Sequence, residues 1–263
     1  MPMSPRLLRP TASRSGIGFD ADAATYIRAV EAADGQALEP VVGVAINNFV
    51  VGCKADGIWS AIKASCLLMG ARTLSGALTP LVGAAPTNNN FVSADYNRKT
   101  GLIGNGSTKS LNSNRNNNAD PQDNFHAAVW VQTADANSGR AYFGAGAATN
   151  EAGATNFGRG SGGGLFFRCR GGLTQPSANP TGLIGVSRSA SASYLYRAAL
   201  TNTTVTATSE IPFSANLFVF SATNSAFPTS ARMTFYSIGE SLNLALLDSR
   251  LATLNTAIGA AIP

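Results

Sequence analysis

The chain contains little charge and few of the residues that bind metals. Of its 263 residues 13% are charged, and it has three cysteines and one histidine. The cysteines, Cys53, Cys66 and Cys169, are odd in number and form no CxxC pair, so we predict buried free thiols rather than a zinc site. Free thiols are typical of a reducing cytoplasm. His126 borders an apolar strand, and Ser-His-Asp catalysis through this one histidine is not expected.

Long apolar runs are also missing. No stretch approaches the roughly 18 apolar residues that a membrane-spanning helix needs. The first eighteen residues contain basic side chains but lack the apolar core of a signal peptide. We therefore predict no membrane insertion and no export by the general secretory route.

The chain is instead rich in glycine and other residues that favour turns. The chain has 27 glycines, while 44% hydrophobic residues and 13 phenylalanines exclude a disordered composition. Short apolar segments separated by turn residues are typical of an antiparallel β-sandwich. The predicted strands are 78–82, 91–92, 102–103, 127–132, 141–144, 164–170, 182–186, 193–200, 203–208, 216–220 and 232–238. Segments 127–131 and 217–220 are the most apolar and should be central.

Helices are predicted at both ends. Asp20 or Asp22 can cap a first helix that Gly35 ends, and Pro40 starts a second. A third helix is predicted over 58–69. After the last strand, apolar residues at three- to four-residue spacing predict a closing amphipathic helix: Leu247, Leu251, Leu254 and Ile258. Glu240 is predicted to cap the start of this helix, where its negative charge is favourable.

These patterns divide the chain into three parts. Residues 1–19 form an extended basic arm, in which Arg6, Arg9 and Arg14 are predicted to dock on an acidic surface. Residues 20–70 form a helical segment, predicted to be an attachment segment or, alternatively, a cap over an edge of the sandwich. Residues 71–263 form the sandwich with its closing helix. Basic and aromatic residues are not interleaved, so we predict no nucleic-acid partner.

Two stretches carry a resemblance to a known family. The segment GLIGNGSTK (101–109), and more firmly FYSIGESL (235–242) with the helix after it, resemble the concanavalin A-like, laminin-G-like jelly roll. Together with the stretches 31–39 and 49–59, the chain resembles tailed-bacteriophage virion proteins that carry such a domain, including those of cyanophages and prophages. The resemblance implies a mainly β, antiparallel jelly-roll sandwich.

The resemblance also implies a function. It points to a non-enzymatic virion structural protein of the tail-fibre or adhesin class, assembled in the host cytoplasm. Its partners would be tail or capsid subunits, with a homotrimer and a host-surface glycan as further candidates. The alternatives are a capsid decoration protein and, from a different class, a cell-surface polysaccharide hydrolase.

The candidate ligand sites are few. Tyr142, Tyr194 and Tyr196 could form a carbohydrate-binding platform, and Asp120 and Asp123 are weak calcium candidates in an asparagine-rich loop. A glycosidase needs two carboxylates across a sugar, and we find no closely spaced pair on one strand. No catalytic residue and no cofactor are therefore predicted.

Overall fold

The computed structural model describes residues 18–146, 151–222 and 226–263. Its helices are α1 (Ala21–Asp34), α2 (Pro40–Ala55), α3 (Leu74–Ala77) and α4 (Leu244–Ala261). Its strands are β1 (Ile62–Leu67), β2 (Pro80–Val82), β3 (Thr87–Asn89), β4 (Tyr96–Asn97), β5 (Gly101–Ile103), β6 (Ser110–Asn116), β7 (Phe125–Thr133), β8 (Arg140–Ala145), β9 (Thr155–Arg159), β10 (Leu165–Cys169), β11 (Leu173–Thr174), β12 (Gly182–Ala190), β13 (Ser193–Ala198), β14 (Thr201–Thr206), β15 (Asn216–Val219) and β16 (Arg232–Gly239).

The strands form two antiparallel sheets, which confirms the predicted β-sandwich. Sheet A runs β14-β13-β12-β7-β16-β1-β2, and β5 with β4 adds to it beside β16. Sheet B runs β11-β10-β9-β8-β15-β6-β3. As predicted, β7 and β15 lie inside their sheets. Phenylalanines alternate with outward residues, so Phe143, Phe157 and Phe167 meet between the sheets.

A second apolar core lies between sheet A and the helices. The α4 residues Leu247, Leu251, Leu254 and Ile258 are all buried in it, as their spacing predicts. Helix α2 packs beside α4 and α1 packs beside α2, with Phe49 of α2 edge-on to Phe235 of β16. The protein therefore has three layers, helices on sheet A on sheet B. No described helix is long and apolar enough to span a membrane.

Two sequence predictions are wrong in this region. The predicted third helix is instead strand β1, which pairs with β16 inside sheet A, so residues 20–70 are not purely helical. Both faces of β1 are buried, one against each core, and a strand buried on both sides lacks the alternation that identifies a strand. Glu240 does not cap α4. Asn243 caps that helix, while Glu240 pairs with Lys63 at 3.1 Å.

The other predicted helix ends and the predicted buried thiols are confirmed. The Asp20 side chain accepts a hydrogen bond from the Asp22 amide and caps α1, and Gly35 ends that helix in the left-handed conformation. Pro40 occupies the start of α2. All three cysteines are free and buried. The proposed docking residues Arg6, Arg9 and Arg14 lie outside the described residues.

Candidate functional site

A row of directly opposed residues crosses the outer face of sheet B. Their sequence neighbours point into the core between the sheets, so this row points away from it. The row consists of Asn112, Phe218, Gly144, Asn156 and Arg168. A side chain at Gly144 would collide with Asn156, because an added Cβ would lie 2.1 Å from Asn156 Oδ1. The glycine therefore lets the asparagine fold across the sheet.

Glu210 lies at the β10 end of this row. Its carboxylate accepts hydrogen bonds from the Gly153 amide at 2.6 Å and from Arg168 Nη2 at 3.0 Å. The Gly153 amide, followed by the Arg168 guanidinium, lowers the pKa of Glu210 despite the opposing effect of desolvation. Glu210 is consequently an ionised carboxylate at neutral pH.

Glu151 lies in the loop between β8 and β9. It is half-buried, and its Oε2 atom is buried with no hydrogen-bond partner in the described part of the chain. A Cβ added at Gly146 would lie 2.7 Å from this oxygen, and Gly146 has a φ of +117°. The glycine thus supplies both the backbone conformation and the room for the Glu151 carboxylate.

Gly153 joins the two glutamate loops. Its amide donates to Glu210, and its carbonyl accepts from the Phe213 amide at 3.0 Å. Because Gly153 follows Glu151 by two residues, the loop that carries Glu151 and the loop that carries Glu210 are in direct contact. We call these two glutamates with Gly153 and Arg168 the glutamate site.

Replacing Gly153 with alanine should destabilise the protein. Its φ is +67°, and an added Cβ would lie 1.8 Å from the Ile211 carbonyl oxygen, so both the backbone and the loop contact would be strained. We expect a loss of about 2–3 kcal/mol in the free energy of unfolding, measured by urea denaturation. Gly162→Ala is the matched control, since a Cβ there meets nothing within 4 Å. Equal midpoints for the two variants would contradict this description of the loops.

The predicted carbohydrate-binding tyrosines do not form a surface platform. Tyr142 and Tyr194 are buried in the core, and the Tyr194 hydroxyl donates to the carbonyls of Phe167 and Gly172, both at 3.0 Å. Tyr196 is half-buried and stacks on Phe167 with ring centroids 4.5 Å apart. Alternation along β8 and β13 turns these rings toward the space between the sheets.

One of the two calcium candidates, Asp120, is bound by an arginine. Arg115 binds the Asp120 carboxylate with both nitrogens of its fork, with an Nε–Oδ2 distance of 3.0 Å. Arg170 inserts its guanidinium among carbonyls of the same loop. Asp123 lies beside them, and the described residues contain no cluster of three or more metal-ligating side chains. The positive charge that this loop requires therefore comes from the chain itself.

His126 is a core residue. It is fully buried, and its ring nitrogens contact the Glu240 carbonyl oxygen at 2.5 Å and the Ser237 hydroxyl at 2.7 Å. Nδ1 must donate to the carbonyl, so Nε2 accepts from the serine. Both ring nitrogens are therefore used within the fold.

The chain matches no family model and no curated protein. Among solved structures, it is similar to a mutant of Trypanosoma rangeli sialidase displaying trans-sialidase activity, with 12% identity over 81% of this chain and 39% of that one and a TM-score of 0.46. A GH54 α-L-arabinofuranosidase soaked with a cyclic sulfate inhibitor shares 10% identity over 61% of this chain and 41% of that one, with a TM-score of 0.39.

A third similar structure is domain 4 of AbnA, a GH43 extracellular arabinanase from Geobacillus stearothermophilus, in complex with arabinotriose. It shares 8% identity over 69% of this chain and 83% of that one, with a TM-score of 0.34. Similarity at these sequence identities and TM-scores concerns the fold alone.

These structures contradict the prediction of a non-enzymatic virion protein. Each of the three comes from a carbohydrate-active enzyme, and none is a phage protein. The tail-fibre or adhesin function, the capsid-decoration alternative and the expectation of no enzymatic activity are therefore withdrawn. The polysaccharide hydrolase is the further alternative that the sequence offers.

Proposed function

We propose that the chain is a polysaccharide hydrolase that uses Glu151 and Glu210 as its acid–base pair. The observation that carries the proposal is that the loops of Glu151 and Glu210 contact each other at Gly153, while the two carboxylates have different environments. Glycoside hydrolysis requires two such groups, one that gives a proton to the leaving oxygen and one that stays ionised. Two chemically identical carboxyl groups can take the roles of proton donor and ionised carboxylate when their surroundings differ.

Glu210 suits the ionised role. Hydrogen bonds from Gly153 and Arg168 favour its charged form, so it cannot serve as the proton donor near neutral pH. It would either take a proton from the attacking water or attack the anomeric carbon itself. Arg168 is a positioning residue here, because it contacts the glutamate from the sheet.

Glu151 takes the acid role by exclusion. Its Oε2 atom accepts no hydrogen bond from the described residues, so it is not committed to holding the fold together. In the reaction the glycosidic C–O bond breaks, Glu151 gives its proton to the departing sugar oxygen, and water supplies the new hydroxyl at the anomeric carbon. The configuration of the released sugar distinguishes attack by water from attack by Glu210.

The test is hydrolysis by matched variants. Wild-type protein should release reducing ends from at least one member of a panel of bacterial capsular and cell-wall polysaccharides. Glu151→Gln and Glu210→Gln should each lower that rate by about 10²–10⁴-fold, the usual contribution of a general acid or base. Glu240→Gln is the control, because this surface carboxylate pairs with Lys63. No release by wild type, or equal rates for all three variants, would rule the proposal out.

A further inference from the structure

Two arginines face each other at the C-terminal end of β9, the end that lies farther from Glu151. Arg140 of β8 and Arg159 of β9 are directly opposed across the ladder, so their side chains lie on the same face. Like charges in that arrangement destabilise a sheet. Such a pair therefore needs a counter-charge nearby.

No described acid forms an ion pair with either arginine. The Nε atoms of both are buried without a hydrogen-bond partner among the described residues. Arg140 Nη1 makes one long contact, 3.5 Å to the Gly106 carbonyl oxygen. The half-buried arginine Arg115, in contrast, binds Asp120.

A buried tyrosine completes the cluster. Tyr142 is fully buried, and its hydroxyl oxygen interacts with the Asp135 backbone but donates its proton to no described residue. Burial raises the pKa of Tyr142, while the charge of Arg159 acts in the opposite direction, so the hydroxyl is neutral and can donate. The Tyr142 hydroxyl and the two guanidinium groups are all donors.

The nearby acid is already occupied. Asp135 interacts with Tyr142, but its carboxylate accepts from Thr229 Oγ1 at 2.8 Å, the Ser230 amide at 2.6 Å and the Asn137 amide at 2.8 Å. These bonds join Asp135 to its own loop through Asn137 and to the segment before β16 through Thr229 and Ser230. Asp135 forms no ion pair with either arginine among the described residues.

We propose that Arg140, Arg159 and Tyr142 form a binding site for one oxyanion, a carboxylate, sulfate or phosphate group. Guanidinium groups bind such groups through parallel hydrogen bonds, and a neutral hydroxyl adds a third donor. The site is separate from the glutamate site, because the five residues of β9 span about 13 Å and Glu151 precedes the other end of the strand. The proposal does not depend on the hydrolase function.

Thermal unfolding in different anions tests this site. At matched ionic strength, sodium sulfate, phosphate or glucuronate should raise the wild-type Tm above its value in chloride, by about 5 °C at a concentration roughly 100 times the Kd. A larger shift with glucuronate than with the inorganic ions would identify a saccharide carboxylate as the ligand; the reverse would identify a free ion. Arg140→Gln and Arg159→Gln should lose the shift, and Arg28→Gln, on the exposed face of α1, should keep it.

A second measurement separates loss of binding from loss of folding. In dilute chloride, Arg159→Gln should unfold at the same temperature as wild type or higher, because the substitution removes like-charge repulsion. A lower Tm there, an equal oxyanion response in wild type and both arginine variants, or no response in wild type would overturn the proposal.

Discussion

Replacing Arg170 with methionine should lower the free energy of unfolding by about 3–5 kcal/mol. The Arg170 side chain is fully buried, and its Nη1 donates to the Pro121 carbonyl at 2.6 Å and to two neighbouring carbonyls at 3.3 Å. Nη2 donates to the Asn117 carbonyl, and the guanidinium lies 3.9 Å from the centre of the Phe125 ring. Methionine fills similar space but leaves these carbonyls without donors.

Urea denaturation of matched variants measures this effect. Burial lowers the pKa of Arg170 to about 10, so the group is still charged at neutral pH. Arg170→Lys keeps the charge but cannot reach several carbonyls at once, and its loss should fall between wild type and Arg170→Met. Arg28→Met on the surface should change the midpoint little. A midpoint for Arg170→Met equal to that of Arg28→Met would refute the role given to this arginine.

Stability should also fall as the pH drops through the range where free histidine titrates. Burial lowers the pKa of His126 to about 4, against 6.5 for an unburied histidine. The folded state therefore resists protonation, so the stability is fully present above pH 6.5 and is lost as the pH falls toward 4. The expected loss between neutral pH and about pH 5 is about 2 kcal/mol.

Between about pH 5 and pH 7 the change in stability comes from this histidine and not from the carboxylates. The acids whose pKa values are lowered by partners, such as Asp56 beside Arg250 and Glu39 beside Arg98, lose their contribution only near and below their ordinary pKa values of 3.8 and 4.5. His126→Gln should flatten the curve of unfolding free energy against pH above about pH 5, whatever its effect on absolute stability. An unchanged slope in that variant would show that another group is responsible.

The fold was largely predictable because its strongest signals are local. The apolar segment at 127–131, the stripe of leucines in α4 and the proline at the start of α2 each act on their own neighbours, and the structure confirms all three. Strand β1 was missed because its side chains face an apolar core on both sides. Periodicity cannot distinguish such a strand from a buried helix.

The glutamate site was not predictable in the same way. Glu151 and Glu210 lie in separate loops, and these loops are in contact at Gly153, which fits closely against the backbone at Ile211. A search for paired acids on one strand could not find them. The tyrosine prediction failed for a related reason, since a sequence shows aromatic content without showing which rings the strand turns into the core.

The central claim is that a polysaccharide is cleaved at the glutamate site, and amide chemical shifts of the Glu151→Gln protein test it most directly. This variant should bind an oligosaccharide of the cleaved polymer without turning it over. We predict that the largest shifts will fall on Gly153, Glu210 and their loop neighbours. Shifts confined to other parts of the chain, or an absence of shifts at saturating oligosaccharide, would contradict the account.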